Sequence, residues 1–99
     1  MKNSKPHVFI VDEDIDTVKN VGNFDNCVMK TYTDYKNLLL DVNLGKIKKH
    51  KIGFIHQNGS VSLATFLKNY LHGMQPDIKL MVYKNESELK NMLKLERLV

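Results

Sequence analysis

Four short apolar runs alternate with four stretches whose apolar residues recur three and four positions apart, and this order constrains the fold of the 99-residue chain more than any other feature. Residues 8–11 (VFIV) are apolar at every position, the habit of a strand covered on both faces in a parallel sheet. Ile15, Val18 and Val21 follow at helical spacing, with Asp14 or Asp16 placed to cap the first turn and Gly22 to end the helix. Residues 27–32 (CVMKTY) suit a second strand. Thr33 and Asp34, both capping types, then precede a helix lined by Tyr35, Leu38, Leu39 and Val42 and stopped by Gly45. Residues 52–55 make a third strand and residues 57–62 a turn. Leu63, Phe66, Leu67, Tyr70 and Leu71 then line the clearest amphipathic helix, closed by Gly73. Past Pro76 and Asp77, residues 78–83 (IKLMVY) form a fourth strand. Asn85 and Glu88 are a capping pair for a last helix carrying Leu89, Met92 and Leu93. The expected architecture is (βα)4, an open parallel sheet of about four strands with helices on both faces, in a single domain over residues 1–99.

In such sheets function gathers at the carboxyl ends of the strands. That places the acidic run Asp12, Glu13, Asp14 and Asp16, directly after the first strand, at the expected site. Its carboxylates can rim a metal and phosphoryl-transfer pocket, or they can cap a helix and hydrogen-bond loop amides.

Composition narrows the classes. Apolar residues make up 42% and charged residues 26%, close to the soluble average, so neither disulfides nor a structural metal is needed for folding. No apolar run reaches the length of a membrane span, and the polar start MKNSKP lacks the apolar core of a signal peptide. The expected location is therefore the cytoplasm, without membrane contact. The lone Cys27 reads as a small core residue rather than a nucleophile. The net charge of +4 rests on fourteen lysines and one arginine, a ratio that favours solubility over bidentate recognition of bases or phosphates. Lys46, Lys48, Lys49 and Lys51 are the one dense basic run. It reads as a solvated loop ahead of the third strand, with a nucleic-acid patch as the alternative. The four histidines lie too far apart for a local zinc motif, no glycine-rich phosphate loop is present, and Ser60 and Ser62 lack the context of a nucleophile elbow.

The segment VFIVDEDIDTVKNV resembles the first strand and helix of a response-regulator receiver domain, and YLHGMQPDIKLMVYKNESEL resembles the receiver stretch leading into its fourth strand. The resemblance implies a flavodoxin-like strand order 2-1-3-4, and it makes Asp12 and Glu13 the counterparts of the carboxylate pair that holds Mg²⁺. It also implies an aspartate that accepts phosphate at the end of the third strand, where this chain has His56. Gln57 and Asn58 cannot replace it, since an amide is no nucleophile. Tyr83 stands where receivers carry a small hydroxyl residue, and Lys84 is the only lysine near the place of the phosphoryl-contacting one. The family's fifth strand is not reached.

The expected protein is thus a stand-alone pseudo-receiver for two-component-type signalling, not an enzyme, with a vestigial pocket of Asp12, Glu13, His56, Tyr83 and Lys84. An imidazole between two carboxylates is favoured in its charged form and can neutralise them in place of Mg²⁺, so no cofactor is expected. The alternatives are a residual Mg²⁺ and phosphoryl-transfer site at Asp12, Glu13 and His56, and weak nucleic-acid association through the lysine run. Output is expected through a protein partner or a homodimer. The dimer surface would comprise Ile78, Leu80 and Val82 on an edge strand with Leu89, Met92 and Leu93 on a last helix that has more apolar residues, among them Leu95, Leu98 and Val99, than it can bury.

Overall fold

A computed structural model describes residues 5–21, 24–57 and 61–98, with only the backbone of Ile15 and Val61. The stop at Gly22, the turn at residues 58–60, the side chain of Ile15 and the contribution of Val99 lie outside the described residues. Strands and helices alternate strictly: β1 (His7–Val11), α1 (Ile15–Asn20), β2 (Val28–Tyr32), α2 (Tyr35–Asn43), β3 (His50–His56), α3 (Val61–Met74), β4 (Lys79–Tyr83) and α4 (Glu86–Leu95). All neighbouring strands pair in parallel, in the order β2-β1-β3-β4. The (βα)4 architecture and the 2-1-3-4 order follow the expectation. Among the described residues no helix is long and apolar enough to cross a membrane.

The continuous apolar run of β1 serves two cores. Phe9 and Val11 pack with Ile55, Leu38 and Val42 of α2 and Leu67 and Leu71 of α3. Val8 and Ile10 pack on the opposite face with Phe54, Val18 of α1 and Leu89 and Leu93 of α4. The sheet is therefore a middle layer, with α2 and α3 on one side and α1 and α4 on the other. Gly53 lies beside Phe9 in the β1–β3 register, and the absence of a side chain there makes room for the buried Phe9 ring. Lys51 is skipped between the pairs His7 with His50 and Val8 with Ile52, a bulge that turns its charged side chain outward.

Helix ends follow local chemistry. Asp14 and Asp34 accept hydrogen bonds from the amides of Asp16 and Lys36, and Asn85 accepts one from Glu88. The Glu88 carboxylate reaches back to the Lys84 amide at 2.7 Å. Gly45, at φ 75°, ends α2 in a Schellman turn, its amide donating to the Val42 carbonyl and the Lys46 amide to the Asp41 carbonyl. The same turn ends α4 with Arg97 at φ 60°, a position that glycine normally fills, and it swings Leu98 back into the core beside Leu93.

Several expectations need correction. Asp14, not Asp16, caps α1, and α3 runs through Gly73 to Met74. His50 and Lys51 belong to β3 rather than to a loop, and Ile47 within the lysine run is buried. Leu63 and Phe66 of α3 are exposed, because the helix rests on the sheet through Ala64, Leu67 and Leu71; Phe66 instead stacks on Tyr70. The expected dimer surface is mostly interior. Ile78, Leu89, Leu93 and Leu98 are buried within the chain, Leu80, Val82 and Met92 are half-buried against the two cores, and of the apolar residues of the last helix only Leu95 is widely exposed, at 78%.

Candidate functional site

The carboxyl ends of β1 and β3 are neighbours at the point where strand order reverses, between a connection running to β2 on one side and one running to β4 on the other. Backbone hydrogen bonds fix this rim beyond the strands themselves: the Asp12 amide donates to the Tyr32 carbonyl and the Gln57 amide to the Tyr83 carbonyl, each at 2.9 Å. The residues that leave the strands here are Asp12 and Glu13 from β1, His56 from β3 and Tyr83 with Lys84 from β4. All five were singled out from the sequence, and the fold brings them together.

Asp12 is 1% exposed, and a carboxylate so buried requires partners. Its Oδ2 accepts the Tyr83 hydroxyl at 2.5 Å, and its Oδ1 accepts the Asp14 amide at 2.8 Å and faces His56 Nδ1 at 3.5 Å. Burial, reinforced by the hydrogen bond to Asp12, holds the Tyr83 phenol well above its ordinary pKa, so it remains a donor. His56 Nδ1 also bonds Glu13 Oε1, and His56 Nε2 faces the Lys84 carbonyl at 3.3 Å. The ring therefore meets only acceptors, at both nitrogens. Lys84 enters the site through its backbone, while its side chain is exposed.

A cavity of about 280 Å³ opens beside the pair of Glu13 and His56, with Val11, Leu63 and Leu67 as apolar wall and Thr33, Asp34 and Tyr35 as a polar one. Sequence reasoning did not assign these residues to a site. The signal available was their place at the carboxyl end of β2 and the start of α2 and α3, the rim on which open α/β sheets bind ligands. Two other polar arrangements were likewise missed. Tyr32 donates to Asp41 at 2.6 Å, which holds the Asp41 carboxyl below its usual range, and the ring of His50 is buried beside His7 and Phe9 with Nδ1 unpartnered among the described residues.

The receiver resemblance implies Mg²⁺ at Asp12 and Glu13. Mg²⁺ demands near-octahedral oxygen and water ligands, whereas here the third group converging on the two carboxylates is an imidazole nitrogen. The donor set does not fit that ion. No family model, curated protein or solved structure matches the chain.

The lysine run lies at the opposite end of the sheet, with Lys46, Lys48 and Lys49 before β3 and Lys51 within it, all exposed.

Proposed function

We propose that the chain is a pseudo-receiver, a non-catalytic protein-interaction domain that keeps the receiver shape without its phosphorylation switch. The observation that carries this reading is His56 at the end of β3, bonded to Glu13 and facing Asp12, in the position of the phospho-accepting aspartate. Neither remaining carboxylate is a free nucleophile, since Asp12 is buried beneath the Tyr83 hydroxyl and Glu13 is engaged by the imidazole. The site thereby holds one shape instead of alternating between two, and output comes from what binds the domain in the cytoplasm. Incubation with acetyl phosphate or a histidine kinase and Mg²⁺ is expected to leave the protein unlabelled; stable, stoichiometric phosphorylation of a carboxyl would overturn the reading.

The partner that goes with this function is a second copy of the chain. β4 is a sheet edge whose outer backbone groups offer strand pairing to a second copy, with exposed Leu95 as the apolar residue left on the adjoining last helix. Light scattering at micromolar concentration tests the dimer, and a monomeric mass there removes it. The exposed lysines before and at the start of β3 favour a second reading, weak association with a nucleic acid. That binding is expected only at low salt and without sequence preference, and affinity surviving at physiological salt would make the second reading the stronger one.

A further inference from the structure

We infer that Asp12, Glu13 and His56 form a site for a borderline divalent transition ion such as Zn²⁺, and not for Mg²⁺. The inference shares one premise with the proposed function, the placement of His56, and goes beyond it in assigning the pocket a ligand. Among the described residues this is the one set of three histidine, cysteine, aspartate or glutamate side chains whose ligand atoms all lie within 4.8 Å of one another.

The tautomer follows from the surroundings. The Lys84 carbonyl accepts only from a protonated Nε2, and a backbone carbonyl on the distal nitrogen is the usual orienting partner of a metal-bound histidine. When a metal ion takes the place of the proton that Nδ1 shares with Glu13, Nε2 keeps its proton for the Lys84 carbonyl and the Nδ1 lone pair faces Asp12 Oδ1 and Glu13 Oε1. Three electron-rich atoms then face one point, and only a cation there makes the arrangement favourable. A proton satisfies Nδ1 and one carboxylate oxygen; a divalent ion satisfies all three groups and balances both carboxylates.

Geometry and mobility agree with the larger cation. Two donors each about 2.0–2.1 Å from a tetrahedral ion stand about 3.4 Å apart. The Asp12 Oδ1 to His56 Nδ1 separation is 3.5 Å. Asp12 is held by the Tyr83 hydroxyl and the Asp14 amide, so this edge of the site is preformed. Glu13 sits closer to the imidazole than two ligands of one ion would, but its side chain is 47% exposed and has room to swing outward. The cavity beside Glu13 and His56 provides space for a water as the fourth ligand. An imidazole with two carboxylates suits zinc and its neighbours, whereas hard Mg²⁺ prefers carboxylate, carbonyl and water oxygens alone.

Zinc titration of the full chain against a chromogenic chelator, with Co²⁺ absorption as a second readout, tests the site. One equivalent is expected to bind, unaffected by millimolar Mg²⁺. His56→Gln and Asp12→Asn should each weaken it by about tenfold or more. His7→Gln, which removes the other clustered imidazole, should leave it unchanged. Because a substitution at the buried Asp12 can impair folding, the ¹⁵N spectrum of the histidine rings in the unsubstituted protein gives an independent answer: zinc should shift His56 Nδ1 and leave Nε2 protonated. Unmoved His56 resonances at saturating zinc, or equal competition by Mg²⁺, would overturn the inference. The two tests fail separately, since carboxyl phosphorylation refutes the pseudo-receiver reading whatever zinc does, and absent zinc binding leaves that reading standing.

Discussion

Removing the Tyr83 hydroxyl is expected to destabilise the protein while leaving its apolar packing intact. Tyr83 is fully buried and donates at 2.5 Å to a carboxylate that is itself 1% exposed, so Tyr83→Phe leaves the buried Asp12 Oδ2 without this donor. A hydrogen bond to a charged group contributes about 1.5–3 kcal/mol, and burial places this one in the upper half, about 2–3 kcal/mol. For a domain of this size the melting temperature should fall by about 10–20 °C. The alkaline limb gives a second reading of the same contact. Burial, then the hydrogen bond to Asp12, raise the folded Tyr83 pKa above the unfolded value of about 10. The stabilisation is complete below pH ~10 and is lost as pH rises past it, by about 1.4 kcal/mol per pH unit. Tyr32, raised by burial and its bond to Asp41, contributes an equal slope. Urea denaturation from pH 7 to 11.5 should therefore show no loss from these two tyrosines up to about pH 10 and a combined loss approaching about 2.7 kcal/mol per unit above it, halved in Tyr83→Phe. A double-mutant cycle with Asp12→Asn isolates the pair. Stability within about 0.5 kcal/mol of the parent at neutral pH, with the alkaline slope unchanged, would show that the Tyr83 hydroxyl does not stabilise Asp12.

Three further outcomes follow from individual contacts. Gly53→Ala would put a Cβ 2.2 Å from the buried Phe9 ring, so a loss of about 2–3 kcal/mol is expected in urea denaturation; added Phe9→Leu should recover part of it, and an undisturbed single variant would show that the ring has room to move. Arg97→Gly should raise stability by about 0.5–1 kcal/mol by relieving the left-handed backbone at the end of α4, and a lower melting temperature would contradict this. Burial, then the neighbouring His7, lower the folded pKa of His50, with Lys30 acting in the same direction and Asp41 and a backbone bond opposing. Stability from keeping that ring neutral is complete above the unfolded value of about 6.5 and lost as pH falls. His50→Phe should flatten the loss between pH 7.5 and pH 5, and an unchanged acid limb would place the titrating group elsewhere.

The two central strands, β1 and β3, were legible because burial on both faces leaves a continuous apolar run, as in residues 8–11, and three helix starts were legible because Asp14, Asp34 and Asn85 are the caps their positions suggest. The orientation of α3 was not. Five apolar residues spread over a wide stripe do not reveal which edge of it meets the sheet, and the side carrying Leu63 and Phe66 faces outward. Nor was the burial of Leu98 legible, since the turn that returns it to the core uses Arg97 where a glycine would have signalled it. At the site, residue identity and strand ends sufficed to assemble Asp12, Glu13 and His56. The Tyr83 hydroxyl on Asp12, 71 positions away, depends on the register of β3 with β4, which no local pattern encodes.

The division of the helices between two faces also orders events during synthesis. Among the described residues, every buried residue of the core beneath α2 and α3 lies from Phe9 to Ile78, and the half-buried Leu80 and Val82 beside it also precede α4, so that side of the sheet can close before α4 has left the ribosome. The other side cannot, because Val8, Ile10 and Phe54 wait for Leu89, Leu93 and Leu98. A nascent chain halted ahead of Glu86 is thus a half-covered sheet, with one finished core and one adhesive apolar face. It is at that stage, more than in the finished fold, that the protein is most exposed to chaperone capture and aggregation.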